Sequence, residues 1–462
     1  MLSAAMVALL GCNNRGVASG ESIPSKSVGA DISAGSEQAL DVLMVISTAP
    51  GMAAKQRTLA AQVDTFVAEL ERTAGGRPDL HIGAISAEIG IGPFAHGQCD
   101  ERGDNGALQA APPAAGCAPL DDDASFIIDI ADRAGDHGDA RRRNYSGALT
   151  DNLACAVQLG EQGCSFQQPL EAMRRALNGS NPERNRGFLR DDAYLAVIFI
   201  GDRDDCSART TELFDPADTA ELGPLSLFRC FEFGVRCEPD LPRSLGPRDS
   251  CRGRTRSPYS LTVEEYQRFL TGSGPGTLNR DPGRVIVAAV HGAPSAVTVT
   301  ADPDSNPRLE PACTGPDGSA GPAVRLGHFA GLFPQRNISA SICGDQPVDP
   351  LAAIGRGLAL LIDNRCIAGD IDLDPDRPGV QHTCVVSEVR RPGAADQDER
   401  PLAACSAVPA PADEWPCWHL AADPFCADDR FPTQQTVIVD RGPDGAADVP
   451  PGTVIRYSCA VR

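Results

Sequence analysis

The chain alternates short, wholly apolar runs with segments whose apolar residues recur every three or four positions, and this alternation predicts its elements. Asp41-Val-Leu-Met-Val-Ile46 is a run of strand length; it passes through the turn Ser47-Thr-Ala-Pro-Gly51 into a segment with Leu59, Val63, Phe66, Val67 and Leu70 on one helical face. Tyr194-Leu-Ala-Val-Ile-Phe-Ile200 has the unbroken apolar character of a central strand buried on both faces. Leu80 to Ser86 and Arg284 to Val290 read as further strands, and residues 167–178 as a helix with Leu170, Met173 and Leu177 inward. Ile338 to Cys343, followed by Leu351, Ile354, Leu358 and Leu361, predicts a last strand and helix. Strands alternating with helices imply right-handed crossovers. The expected fold is therefore α/β, a doubly wound, mostly parallel sheet flanked by helices. Ligands of such sheets collect at the carboxyl ends of the strands, which directs attention to the turns after Ile46 and Ile200.

Those two turns resemble the von Willebrand factor A family, in which the first strand ends in the metal-binding run Asp-x-Ser-x-Ser. Aligned on the strand and on Met52, the family Asp falls on Ser47 and its two serines on Ala49 and Gly51. In Gly201-Asp-Arg-Asp-Asp-Cys206, Asp202 matches the family's third-loop Asp, and Gly201 replaces the Thr before it. The family's separate Thr falls near Gly163-Cys-Ser-Phe-Gln167, where Ser165 is the only hydroxyl. The resemblance implies a Rossmann-like α/β domain with a degenerate adhesion site. A small divalent cation needs several oxygen ligands in near-octahedral geometry, so no cofactor is expected beyond weak cation binding at Asp202.

The rest of the chain suggests an envelope protein. Met1 to Gly11 is apolar apart from Ser3 and ends Leu9-Leu-Gly-Cys12, which looks like a lipobox; this implies a signal peptide removed before a lipidated Cys12. Residues 13–37 read as a flexible polar tether and residues 38–365 as the α/β domain, with insertions at about 91–150, 203–260 and 293–336. Residues 366–462 form a Cys-rich C-terminal region. The layout resembles lipidated von Willebrand A proteins of high-GC bacteria. Of 17 cysteines, Cys12 leaves an even number for disulfides in an oxidising compartment. Spacing suggests the local pairs Cys99–Cys117, Cys155–Cys164 and Cys313–Cys343. Two more bridges are expected among Cys206, Cys230, Cys237 and Cys251, and three in the tail.

A net charge of −21 disfavours nucleic acid, whose phosphates need clustered cations. Lysine occurs only as Lys26 and Lys55; arginine supplies the remaining basic side chains, as in proteins of GC-rich genomes. No nucleophile elbow, His-Glu-x-x-His or phosphate-binding Gly loop occurs, so catalysis finds no support. Asp370-Ile-Asp-Leu-Asp-Pro-Asp376 alternates carboxylates like a calcium loop, but Pro375 stands where an EF-hand needs Gly. Trp415, Trp418 and His419 could stack on a ligand or fill the core of a stapled tail. The reading is a non-enzymatic, lipid-anchored envelope protein, of the outer membrane and periplasmic or surface-exposed, that binds a protein or surface polymer without a metal bridge. A structural or assembly role is the first alternative; an enzyme or metal-dependent adhesin is the second. Replacement Cys12→Ser should move the full-length protein from the detergent phase to the aqueous phase on membrane fractionation, because no other stretch of the sequence is apolar and long enough to anchor it.

Overall fold

The computed structural model describes residues 27–33, 38–73, 76–109, 117–132, 141–346, 348–363, 365–392, 396–429, 431–442, 449 and 453–462. Cys12 lies outside them, as do most of the expected tether and the signal peptide. Two compact units form, one of residues 33–365 and one combining the chain start up to Ile32 with Cys366–Arg462.

In the larger unit the strands are β2 (Ala39–Ile46), β3 (Asp79–Ser86), β4 (Ile127–Ala131), β5 (Arg141–Arg143), β6 (Tyr194–Ile200), β7 (Val235–Glu238) and β8 (Gly246–Gly253); β1 (Ser27–Ser33) precedes them. β9 (Val285–His291), β10 (Val297–Ala301), β11 (Pro307–Leu309), β12 (Cys313–Gly315), β13 (Gly318–Ala320) and β14 (Asn337–Ser341) complete the set. Its helices are α1 (Met52–Ala60), α2 (Val63–Leu70), α3 (Leu149–Ala156), α4 (Pro169–Leu177), α5 (Thr219–Leu222), α6 (Phe228–Gly234), α7 (Val263–Thr271), α8 (Val324–Gly331) and α9 (Pro350–Asp363). The main sheet has seven strands in the order β14-β9-β6-β2-β3-β4-β5. Side chains of β6 alternate between two apolar layers: Ala196, Ile198 and Ile200 pack with Leu59, Phe66 and Leu358, whereas Leu195, Val197 and Phe199 pack with Met173, Tyr266 and Phe329. Burial on both faces is why these strands carry no polar alternation.

The expected doubly wound, mostly parallel von Willebrand A-type sheet with loop insertions is corrected by this architecture. Within the main sheet, parallel pairing joins β14, β9, β6, β2 and β3, and β4 and β5 extend it antiparallel. The insertions are not loops: β11-β10-β8-β7 is an antiparallel sheet of its own and β12-β13 a hairpin. Sheets are therefore mixed and antiparallel-rich across the chain. Short strands such as Arg141–Arg143 and Gly246–Gly253 escaped notice because Arg, Gly and Pro give them neither alternation nor β propensity.

The second unit is also a sheet. Its strands are β15 (Cys384–Arg390), β16 (Asp398–Ala404), β17 (Cys417–Ala422), β18 (Gln435–Asp440) and β19 (Val454–Ala460), in the order β1-β19-β15-β16-β17-β18. Residues 27–33, expected within the tether, are thus a strand, held to Arg456 by a bidentate Asp31 carboxylate at 2.7 and 2.9 Å. Trp418 is buried and donates Nε1–H to Leu402 O at 3.1 Å, so it belongs to this unit's core.

All sixteen cysteines after Cys12 are paired. Cys99 bonds Cys164 and Cys117 bonds Cys155, which corrects the expected Cys99–Cys117 and Cys155–Cys164 pairs. Folding brings the loop after β3 beside the one before α4, so neighbours in space are not neighbours in sequence. Cys313 is bonded to Cys343, Cys206 to Cys230 and Cys237 to Cys251. The tail pairs Cys366–Cys426, Cys384–Cys459 and Cys405–Cys417.

His81 on β3 shows how this core depends on pH. Its Nδ1–H donates to Phe188 O at 2.8 Å, its ring tilts against Phe126, and burial lowers its pKa to about 4. An unfolded histidine titrates near 6.5. The unfolded chain therefore binds the extra proton between these values, so the contribution is complete above about pH 6.5 and is lost as pH falls toward 4. On the order of 3 kcal/mol is at stake at roughly 1.4 kcal/mol per unit. In urea unfolding from pH 4 to 7, His81→Gln should flatten this slope; an unchanged slope would assign the titration to another group.

Candidate functional site

Three turns meet at the carboxyl ends of β2 and β6. Ser47 N–H donates to Ile200 O at 2.8 Å, and Gly201 N–H donates to Val290 O at 3.1 Å, so the turns leave the sheet side by side. The third turn arrives through Gly163, whose N–H donates to Thr48 O at 2.8 Å. That approach requires glycine, since a Cβ there would lie 2.1 Å from Thr48 Oγ1. Ser47, Ala49, Gly51, Ser165 and Asp202 are thus gathered in one region of the unit.

At its centre lies an ion pair. Lys55 Nζ on α1 is 3.2 Å from Asp202 Oδ2 and 3.2 Å from Gly51 O, and the two side chains are 3% and 8% exposed. Ser47 Oγ accepts a long bond from Ala49 N–H at 3.4 Å, and Ser47 O accepts one from Gln56 Nε2. Gly51 opens α1 at φ 97°; its N–H and that of Ala53 donate to Glu161 Oε2 at 3.1 and 3.3 Å. That carboxylate sits at a helix start, where negative charge is favoured. The cation paired with Asp202 Oδ2 here is the Lys55 ammonium group.

The two other acids of the 202–205 run are committed elsewhere. Asp204 caps α8, accepting from the N–H groups of Arg325 and Leu326 and from Asp205 N–H. Burial pushes its pKa up to about 6 against the pull of those donors. Asp205 accepts from Leu170 N–H at the start of α4 and is paired with Arg325 at 2.9 Å, with both side chains essentially inaccessible. No three His, Cys, Asp or Glu side chains converge on one point among the described residues. Within the calcium-like run, Asp370 pairs with Arg462 and Asp374 with Arg377, while Asp372 accepts backbone N–H groups.

Asp202 also borders a cleft of about 580 Å³. Its lining comes from two insertions, Leu225, Leu227, Phe228 and Phe231 from one and Pro307 and Leu309 from the other. This volume is in the range of small-molecule and short-peptide sites. The Cys206–Cys230 disulfide ties the β6 turn to α6 across 24 residues, a closure worth roughly 3 kcal/mol in the chain-entropy model. Arg229, 1% exposed, donates to the carbonyls of Leu213, Asp215, Asp218, Gly223 and Pro224 and so fixes the loop behind the apolar wall. Asp202 Oδ1 is buried and has no hydrogen-bond partner; Arg203 Nε stands 3.7 Å from it.

Sequence reasoning placed the turns but missed Lys55, Gln56 and Glu161, which occupy them. A signal existed: Lys55 is one of two lysines in the chain and stands one helical turn after Gly51. The cleft walls gave none, because Leu225, Leu227 and Leu309 sit in segments without periodicity.

No known family profile matches the chain, and no curated protein does. Among solved structures it is similar to the pilus adhesin SpaC from Lactobacillus rhamnosus GG, at TM-score 0.30 and 11% identity over 94% of this chain and 41% of that one. The open conformation of SpaC gives TM-score 0.29 and 12% identity over the same shares. The adhesive tip pilin GBS104 from Group B Streptococcus agalactiae gives 0.26 and 10%, over 94% of this chain and 82% of that one. The chain thus spans less than half of SpaC, and at these scores the likeness carries no conclusion about fold or function.

Lys55→Met should destabilise the protein by about 3–5 kcal/mol, since removing one partner leaves a buried carboxylate uncompensated. The double variant Lys55→Met/Asp202→Leu should recover most of that loss. Urea midpoints measure both; a single variant within about 1 kcal/mol of the parent would mean that the pair does not hold the turns together.

Proposed function

We propose that this is a non-enzymatic, lipid-anchored protein of the cell envelope that binds a partner through the cleft beside Asp202, without a metal bridge. The observation that carries the reading is the cleft itself, about 580 Å³, apolar, and fixed by a disulfide and a buried arginine before any ligand arrives. Such pre-organisation lowers the ordering cost of binding. The cation position is filled by Lys55, so a ligand has no open metal coordination site to complete. Anchoring through Cys12 would hold the units at a membrane surface; among the described residues no helix is long and apolar enough to cross one.

The test uses Leu227, which lies on the cleft wall and is 39% exposed, so that an arginine there fills the opening without entering the core. In quantitative cross-linking of envelope fractions, the parent protein should show one saturable, stoichiometric partner, and Leu227→Arg should lose it. Equal yields from parent and variant would remove the cleft as the binding site. Defects of envelope integrity with no saturable partner would favour a structural role.

A further inference from the structure

Two hydrogen-bonding features line the cleft. One is Asp202 Oδ1, a buried atom of a cleft-lining residue, which makes no hydrogen bond and faces Arg203 Nε only at the ion-pair distance of 3.7 Å. Its partner oxygen already receives Lys55, and Arg203 is held off by its own contacts to the carbonyls of Ser165 and Pro50 at 3.4 and 3.5 Å. A buried carboxylate oxygen left unpaired costs about 1–3 kcal/mol or more. With Lys55 and Arg203 beside it, a further cation is repelled; a neutral N–H suits it.

The other feature is a sheet edge. β11 is the outermost strand of β11-β10-β8-β7, and its residues Pro307, Arg308 and Leu309 all line the cleft. Its register pairs Val299 with Leu309, Thr300 with Arg308 and Ala301 with Pro307. Glu310 N–H donates to Thr298 O and Asp302 N–H to Asn306 O, each at 2.8–2.9 Å. In an antiparallel pair bonded and non-bonded residues alternate, so Arg308 bonds across to β10. Pro307 and Leu309 turn their backbone groups outward. The free groups are Leu309 N–H and the carbonyls of Leu309 and Pro307.

We infer that the cleft takes an extended, non-basic peptide segment of a partner protein, added as a strand on β11, with its apolar side chains against Leu225 and Leu227 and one amide N–H directed at Asp202 Oδ1. This rests on the reading of the cleft as a partner site and names its ligand class. Strand addition draws affinity from main-chain bonds and specificity from alternate side chains. A sugar ring fits less well: Phe228 and Phe231 are each 5% exposed and offer no open face. The three-residue length of β11 and Pro307, which lacks an N–H, limit the added strand and blunt uncontrolled edge pairing.

The experiment uses the full chain and four synthetic pentapeptides blocked at both ends: Thr-Leu-Thr-Val-Thr, the same peptide N-methylated at alternate amides in each of the two phases, and Lys-Leu-Lys-Val-Lys. Fluorescence anisotropy should show saturable binding of the first, at least tenfold weaker binding of one methylated phase, and at least tenfold weaker binding of the lysine peptide. Leu309→Pro removes the outward N–H without touching a β10 bond and should weaken the first peptide about tenfold; Leu227→Arg should abolish binding. The methylated peptides test the edge on the parent protein even if Leu309→Pro does not fold. Equal binding of both methylated phases, still blocked by Leu227→Arg, would overturn strand addition and leave the cleft as a partner site. Binding indifferent to Leu227→Arg would overturn both readings, and absence of binding by all four peptides would overturn the strand-addition proposal.

Discussion

The Asp205–Arg325 pair is the contact on which the surroundings of the cleft depend. Asp205, at the end of β6, receives Leu170 N–H from the start of α4 and the guanidinium of Arg325 from α8. Arg325 in turn donates to Gly234 O, where α6 ends, and to Leu261 O before α7. Five segments therefore meet at two charges with almost no access to water. A buried pair is weak evidence of net stability, because desolvation offsets much of the attraction. Its effect is on position: only one arrangement of α4, α6 and α8 satisfies every donor and acceptor, and a side chain left unpaired costs about 3–5 kcal/mol.

The same device recurs with other arginines. Arg248 donates to the carbonyls of Leu241, Ser244, Gly246 and Pro247 and shapes the tip between β7 and β8. Arg280 donates to those of Arg190, Asp191 and Ala193 before β6. A guanidinium presents five donors in a rigid plane and remains charged when buried, which a lysine cannot match. Long connections are thus built in part around buried arginines and closed by disulfides. What reads as a compositional bias of a GC-rich genome is also the means by which the insertions acquire a fixed shape.

This explains which parts of the structure were legible from sequence. Runs such as Tyr194–Ile200 are visible because burial on both faces of a sheet demands continuous apolar residues. The boundary at 365/366 coincides with a change to Cys-rich sequence. The insertions were not legible, because β8 and β11 are held by arginine, glycine and proline geometry and not by apolar alternation. Disulfide partners followed space and not spacing, as Cys99–Cys164 and Cys117–Cys155 show. For the site, Asp202 was visible by its place after a strand. Its partner was not, since nothing in one sequence says that a lysine on α1 points toward a turn 147 residues away.

Lys55 changes what kind of binding the site can support. A divalent cation offers open coordination positions, so a ligand carboxylate can complete its shell and contribute much of the affinity. An ammonium group has three donors and no such vacancy; here two are directed at Gly51 O and Asp202 Oδ2 inside a nearly closed contact. The charge is spent within the protein. Affinity must then arise beside the ion pair, from apolar area covered in the cleft at roughly 25 cal/mol per Å² and from hydrogen bonds to groups the fold leaves open. On the proposed reading such a site needs no metal, and its selectivity lies in the shape and backbone direction of the ligand more than in the ligand's charge.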